Sequence, residues 1–389
     1  MTRLLIDGRS LTKEPKGVGR YAYHLCLQLN KLLPPEWKMD IVAYEEDLPE
    51  FSNDFRGNFF NIPYFSEFTT GKKLFPKLIK KFNSSILLRP NEGIGHGYGI
   101  PQVTVCHDIN EWIAKAQESQ GRKRSWYRKS IDKIKNYYIG RSLQESEFVL
   151  CNSNFIGKSA SKHYSFDYKK TVLAYCGIDN RFYEYSKNSN EDEIKKKYQI
   201  NHYILTFATG DYRENFLRLP EIINNFKKFG LPCTFVIAGV KMHAPYAERL
   251  QYMLIKNNLI LGLDYIFLGF FGEDKFTDLV ELYTAADFYL ELSIHEGFGM
   301  QLAEAMACGT TCISTDKGAL REVGGDQVIY INDPLDSMHI ASIIEHSYRN
   351  KLHKRCNQLQ IEYTKKFSWE KTGLAVHACL KKTAEKYQC

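Results

Sequence analysis

The chain has 389 residues, 44% of them hydrophobic and 25% charged, with a formal net charge of +7. That composition is globular and long enough for two domains with separate cores. No apolar run approaches the roughly 20 residues that span a bilayer, which excludes a membrane-spanning helix.

The N-terminus, "MTRLLIDGRS", reaches Asp7 and Arg9 after three apolar residues in a row, so it reads as a short buried strand and not as a signal peptide. A cytoplasmic protein is expected. The ten cysteines agree: they are scattered and mostly lie inside apolar runs, as Cys106 does in "VTVCHD" and Cys233 in "PCTFVIAG". Cys308 and Cys312 have zinc-like spacing, but no second Cys or His pair follows at ligand spacing, and no metal site is expected.

Short apolar runs continue along the first half: "RLLIDG", "KMDIVAY", "SSILLRP", "QVTVCHD", "EFVLCNS" and "KTVLAYCG". Between several of them lie amphipathic or charged segments of helical length, the pattern of a mostly parallel sheet covered by helices. After the first strand, "DGRSLTKEPKGVGRYAYHLCLQL" enters a helix at about Val18. Gly17 and Gly19 leave no Cβ at that entrance, so backbone N–H groups there can approach a phosphate or hydroxyl.

The charge is concentrated in this half. From Arg122 to Arg141 eight Lys or Arg face the single acid Asp132, and "KKLFPKLIKKF" from Lys72 to Phe82 adds five more cations. Trp126, Tyr127, Tyr137 and Tyr138 lie among the charges. Cations with interleaved aromatics suit an anionic membrane surface; a solvated helix face is the alternative. Nucleic acid is not expected as a partner, because no recognition motif accompanies the charge.

A polar, mixed-charge segment, Tyr185 to His202, reads as a linker in which Glu191 to Tyr198 can form a short helix. The strand register then restarts with "YILTFATG", "CTFVIAGV", "YIFLGFF", "DFYLELS", "TTCISTD" and "QVIYIND". Two doubly wound domains facing a cleft follow from this repetition.

Within the second series, "DFYLELS" is a strand, "IHEGFG" a loop and "MQLAEAMACG" a helix that Gly309 ends. Gly297 and Gly299 let the chain turn and present the N–H groups of Phe298, Gly299 and Met300 at a helix N-terminus, where the dipole favours phosphate. Glu296 sits in the loop, and Glu304, a turn into the helix, can accept hydrogen bonds from a ribose diol. A nucleotide-sugar needs these three functions: neutralised diphosphate, held ribose and oriented sugar hydroxyls. Taken alone, the two glutamates equally suit helix-dipole compensation.

"HEGFGMQLAEAMACGTTCISTDKGALREV" resembles the signature of the retaining glycosyltransferases of family 4. The resemblance extends through "DGRSLTKEPKGVGRYAYHL", "VTVCHDIN", "VLCNSNFIGK", "VLAYCGID" and "FSWEKT", covering most of the chain. It implies an α/β chain of GT-B fold, two Rossmann-like doubly wound domains, and a C-terminal helix crossing back to the N-terminal domain. The corresponding division is 1–190 for acceptor binding, 191–366 for the nucleotide-sugar, and 367–389 for the returning helix.

The resemblance also assigns residues. Glu304 would hold the ribose and Glu296 the sugar hydroxyls, with Gly297, Phe298, Gly299 and Met300 presenting backbone to sugar and phosphate. His107 and Asp108 join Glu296 as the catalytic set, and Gly17, Val18 and Gly19 line the acceptor side. Phe270 and Phe271 lie in the loop that reads the base. One departure stands out: where the family writes Arg-Lys-Asn, this chain has Arg213, Glu214 and Asn215, and Thr209 takes the place of an upstream arginine. Either Glu214 turns outward and Arg213 or Lys241 substitutes, or donor binding is altered. A carboxylate facing a poorly solvated diphosphate would be repulsive by several kcal/mol.

The reading implied is a retaining, metal-independent hexosyltransferase that moves glucose from UDP-glucose to a glycan or lipid-linked glycan in polysaccharide biosynthesis. It needs no cofactor, and no Asp-x-Asp dyad is present to hold a metal. The protein would be cytoplasmic, peripheral at the inner face of the membrane. The alternatives are a degenerate nucleotide-sugar-binding protein, or a GT-B hydrolase or epimerase.

Overall fold

The structure is a computed structural model that describes residues 2–12, 17–44, 48–119, 125–187, 190–354 and 357–389. Lys13 to Lys16 of the glycine-loop stretch, Arg122 to Arg124 of the basic stretch, and Asn188 and Ser189 of the polar segment lie outside the described residues. The chain divides into two compact units. The first comprises Met1–Glu111, Arg124–Gly177 and Phe367–Cys389; the second comprises Trp112–Lys123 and Ile178–Lys366.

The first unit is built on seven parallel strands: β1 (Arg3–Asp7), β2 (Lys38–Tyr44), β3 (Asn58–Ile62), β4 (Ile86–Arg89), β5 (Gln102–Cys106), β6 (Phe148–Cys151) and β7 (Thr171–Leu173). Their spatial order is β3-β2-β1-β4-β5-β6-β7, so the direction of winding reverses between β1 and β4. β3 is absent from the sequence reading. It is an edge strand of which only Ile62 is buried, so its apolar residues show neither a continuous run nor alternation. Asp40, buried inside β2, is held by the Arg3 guanidinium at 3.1 Å and by Asn58 Nδ2 at 3.2 Å. A charge in a central strand is tolerated when paired in this way.

Helix Phe75–Phe82 shows how the helices cover the sheet. Phe75, Leu78, Ile79 and Phe82 fall at helical spacing, join Leu5, Val42 and Leu87 in one core, and leave Lys77, Lys80 and Lys81 exposed. The last helix, Trp369–Tyr387, packs in this same unit against helix Gly17–Leu32, burying Val376, Cys379 and Leu380. Its first residue, Trp369, stacks on His24 at 4.5 Å and meets Tyr21 edge-on at 5.6 Å.

The second unit has six parallel strands: β8 (Tyr203–Phe207), β9 (Thr234–Ala238), β10 (Tyr265–Phe267), β11 (Phe288–Glu291), β12 (Cys312–Thr315) and β13 (Ile329–Ile331). Their order is β10-β9-β8-β11-β12-β13, with the reversal between β8 and β11. All six coincide with the apolar runs. Ile204, Phe235, Phe288 and Ile313 form the centre of its core. The polar segment before β8 contains a helix over Glu191–Tyr198. Its one buried residue, Ile194, packs it on helix Phe276–Ala285 of the same unit.

Candidate functional site

In open α/β sheets, ligands bind beyond the carboxyl ends of the strands where the winding reverses. In the second unit that point carries two loops, one after β8 ("ATGDYREN") and one after β11 ("LSIHEGFG"). A backbone hydrogen bond from Ile294 N–H to Arg213 O, 2.8 Å, ties them together. Asp211 caps the single turn Tyr212–Glu214, accepting from Arg213 N–H at 2.9 Å, and its carboxylate also holds the Arg213 guanidinium at 2.7 Å.

Glu214 does not turn outward. Its carboxyl accepts from Thr209 N–H at 2.8 Å and from the Thr209 hydroxyl at 2.5 Å. The tight turn begun by Asp211 sends the side chain back to the end of β8, where Thr209 supplies both donors. Burial pushes this carboxyl up to about 8; the Thr209 hydrogen bonds oppose the shift, and Asp211 and Glu291 add to it.

Glu296 lies beside this arrangement. Burial raises its carboxyl to about 7, with Arg213 opposing and Glu291 and Asp211 adding to the shift. Its backbone is fixed by two glycines. Gly318, at φ +64°, passes so close that a Cβ there would sit 2.3 Å from Glu296 O, which also accepts from Ala319 N–H at 2.9 Å. Gly299, at φ +93°, caps helix Met300–Ala307, and a Cβ on it would strike Leu320 at 2.5 Å.

Glu304 is 3% exposed although it lies one turn into that helix. Tyr283 O–H donates to its Oε2 at 3.4 Å, the Tyr283 and Tyr289 rings lie 5.7 Å apart, and Tyr289 O–H donates to Glu291 Oε2 at 2.8 Å. The structure thus gathers Arg213, Glu214, Thr209, Glu296 and Gly299, with Glu304 joined to Glu291 through two tyrosines. Phe298 and Gly297 are buried, the Phe298 ring within the core, and Met300 is half-buried. Lys241 is exposed, its N–H donating to Tyr246 O–H at 2.8 Å; nothing places its ammonium with Arg213. Phe270 is exposed and Phe271 half-buried, in the loop after β10.

The sequence reading missed Asp211, Glu291 and Tyr283. Asp211 carried a signal, since an Asp two residues before an Arg at the start of a turn is a cap. Glu291 and Tyr283 carried none, because their function depends on packing.

The first unit holds the remaining candidates. His107 follows β5 and is buried; one ring nitrogen, Nε2, donates to Pro90 O at 2.7 Å, and Tyr21 meets the ring edge-on at 4.7 Å. Burial lowers its pKa to about 4, with the Pro90 bond opposing. The ring is therefore neutral at pH 7. Because a carbonyl only accepts, Nε2 carries the proton and Nδ1 is an acceptor. Asp108 is half-buried and accepts from Ile109 N–H at 2.7 Å. Gly17 begins its helix exposed, Val18 is half-buried and Gly19 buried. Arg9 and, from the end of β4, Arg89 both face the buried carboxylate of Asp7, Arg9 at 2.7 Å and Arg89 at 3.8 Å. Burial alone would raise that carboxyl, but the two guanidiniums outweigh it and hold it below its ordinary value.

The model of Glycosyltransferase Family 4 matches residues 15–182, and that of Glycosyl transferases group 1 matches residues 188–367. The chain belongs to these glycosyltransferases. Among curated relatives, the serotype-specific mannosyltransferase WbdA of Escherichia coli is 28% identical over 210 residues, 52% of this chain and 24% of WbdA. The chain thus matches only about a quarter of that protein's length. O-antigen chain mannosyltransferase B of Escherichia coli is 23% identical over 276 residues, 69% of this chain and 67% of that one. The structure of HepE from Anabaena in complex with UDP-glucose superposes with a TM-score of 0.68 at 16% identity, covering 98% of this chain and all of HepE. Structural similarity at that identity establishes the fold, GT-B.

Proposed function

We propose that this glycosyltransferase moves a hexose from a nucleotide diphosphate sugar to a hydroxyl of a glycan or lipid-linked glycan, with retention at the anomeric carbon. The observation that carries the reading is the loop and helix Glu296–Glu304 at the reversal point of the second sheet. Gly299 turns the chain at φ +93° into the helix, Glu296 lies beside that turn, and Glu304 is held inside by Tyr283. Glu304 accepts from the ribose, and Glu296 from the sugar hydroxyls. Phe298, Gly299 and Met300 present N–H groups to the diphosphate, and Phe270 and Phe271 meet the base.

In the reaction proposed, the bond from the anomeric carbon to the diphosphate oxygen breaks. The acceptor oxygen bonds to that carbon on the same face, and its proton passes to a phosphate oxygen. Fixed N–H groups and Arg213 stabilise the leaving charge, a term that is usually the largest in such catalysis. No metal ion takes part in the step.

The two relatives described above are named mannosyltransferases, and they favour mannose over the glucose that the sequence reading selected. UDP-glucose remains the second reading, because the similar HepE structure holds it. Radiolabelled GDP-mannose and UDP-glucose, each incubated with glycan and lipid-linked acceptors with and without EDTA, test the proposal. Transfer of label from one donor, unaffected by EDTA, is expected. Release of free sugar alone points to a hydrolase, binding without turnover to a degenerate protein, and loss of transfer in EDTA overturns the metal-free step.

A further inference from the structure

We propose that Glu214 is a positioning residue for the donor substrate: its carboxyl, in the protonated form, turns the Thr209 hydroxyl outward to donate to a phosphate oxygen. The inference rests on the transfer reading above and concerns one contact within it. Thr209 is half-buried and stands two residues past the end of β8, one of the two strands between which the second sheet reverses. Its methyl group faces Gly239, past the end of β9, where an added Cβ would lie 3.1 Å away, and its N–H and hydroxyl both meet Glu214. The hydroxyl is thereby held at the carboxyl end of the sheet, on the side where ligands of open α/β sheets bind.

A hydroxyl oxygen both donates and accepts, so two arrangements share the 2.5 Å separation between Thr209 Oγ1 and Glu214 Oε1. With an ionised carboxyl, both Thr209 donors point at Glu214, and Oγ1 offers a ligand only lone pairs. An anionic phosphate is then opposed by the carboxylate and by those lone pairs together. With a proton on Oε1, Glu214 donates to Oγ1 while Oε2 still accepts from Thr209 N–H at 2.8 Å. The hydrogen of the Thr209 hydroxyl is then released from the pair and can be donated to phosphate. One proton converts the same two side chains from a barrier into a binding contact.

The surroundings hold that proton in place. The groups that act on the carboxyl are Asp211 from its own turn, Glu291 from the end of β11 and Tyr246 from helix Pro245–Lys256. All three are acidic, and the cation of the turn is engaged elsewhere: Arg213 donates to Asp211 from Nε at 3.0 Å and from Nη2 at 2.7 Å. Glu291 is fixed in this position by Tyr289 O–H at 2.8 Å and Ser293 N–H at 3.1 Å. Burial is the main cause that sets the Glu214 carboxyl at about 8, against the Thr209 hydrogen bonds and with Asp211 and Glu291 adding to it. A bound diphosphate brings further negative charge, so donor and proton bind together, and above that pH the site must take a proton up.

The test is calorimetric titration of the full chain with UDP-glucose and with GDP-mannose at pH 7 and pH 9, each in two buffers of different ionisation enthalpy, which reads proton uptake directly. E214Q reproduces the protonated arrangement, because its amide oxygen accepts from Thr209 N–H while its N–H donates to Oγ1. For the donor that binds, parent and E214Q should agree at pH 7. At pH 9 the parent should bind about tenfold more weakly than E214Q and take up about one more proton per donor. T209V should bind about tenfold or more weakly than the parent at pH 7, and T209S should restore both the affinity and its pH dependence. Binding by the parent with the same pH dependence and proton uptake as E214Q, or T209V that binds as the parent does at pH 7, overturns this inference alone. A parent that binds neither donor at either pH overturns the transfer reading, and this inference with it.

Discussion

Glu214 takes both hydrogen-bond donors of Thr209, the backbone N–H at 2.8 Å and the hydroxyl at 2.5 Å. The consequence concerns pH. Burial raises the carboxyl from 4.5 to about 8 in the folded protein, so the folded state binds the proton more tightly than the unfolded chain. The resulting stability is complete below about pH 4.5 and is lost as the pH rises through 8. Glu214→Gln, which cannot ionise, should therefore flatten the decline in melting temperature between pH 6 and 9. Parallel profiles for parent and variant would show that the carboxyl titrates normally.

Glu296 bears on the rate. Its carboxyl sits near 7 because of burial, and only the carboxylate accepts fully from sugar hydroxyls. Turnover at saturating donor should climb between pH 6 and 8, and Glu296→Gln should lower it while removing that limb. A rate profile with the same limb in the variant assigns the limb to another group.

For Glu304, loss of the charged hydrogen bonds in Glu304→Ala should weaken nucleotide binding by about 1.5–3 kcal/mol. Tyr283→Phe removes the hydroxyl that orients Oε2 and should have a smaller effect in the same direction. Calorimetric titration with UDP and GDP measures both. Unchanged affinity for the preferred nucleotide in the Glu304 variant removes this residue from the donor site.

His107 is neutral with its proton on Nε2. Its pKa falls from 6.5 to about 4 on folding, so its contribution to stability is present above about pH 6.5 and is lost as the pH drops through 4. The difference in urea midpoint between parent and His107→Gln should narrow over that window. Nitrogen-15 spectra should show one unchanging neutral tautomer from pH 5.5 to 9; an imidazolium signal within that range contradicts the assignment.

Gly318→Ala tests the backbone that supports Glu296. The added Cβ would lie 2.3 Å from Glu296 O at a positive φ, a strain of about 1–3 kcal/mol or more. The variant should be less stable and slower, with a smaller change in nucleotide affinity than Glu304→Ala. Wild-type turnover would show that the loop can shift without moving the carboxylate.

Much of this was legible in the sequence because it depends on local pattern. The six strands of the second unit, the helix after Gly299 and the helix over Glu191–Tyr198 all follow from apolar runs, glycines and capping residues that act on near neighbours. What depends on packing was not legible. β3 lies at an edge where only one residue is buried, and Glu291 and Tyr283 reach Glu304 only through side chains brought from other elements. Glu214 shows the boundary: its substitution for lysine was readable, but the direction of its side chain was decided by the turn at Asp211.

The position of helix Trp369–Tyr387 governs the order in which the protein is completed. The second unit ends at Lys366, whereas the first unit includes Phe367–Cys389. A ribosome emitting the chain in order therefore releases every residue of the second unit before the last wall of the first exists. Until then the rings of Tyr21 and His24 lack their Trp369 neighbour and are surfaces for a chaperone or for aggregation. The half that is made first is the half that closes last, and a stop codon just before Phe367 would spare the second unit while leaving the first open.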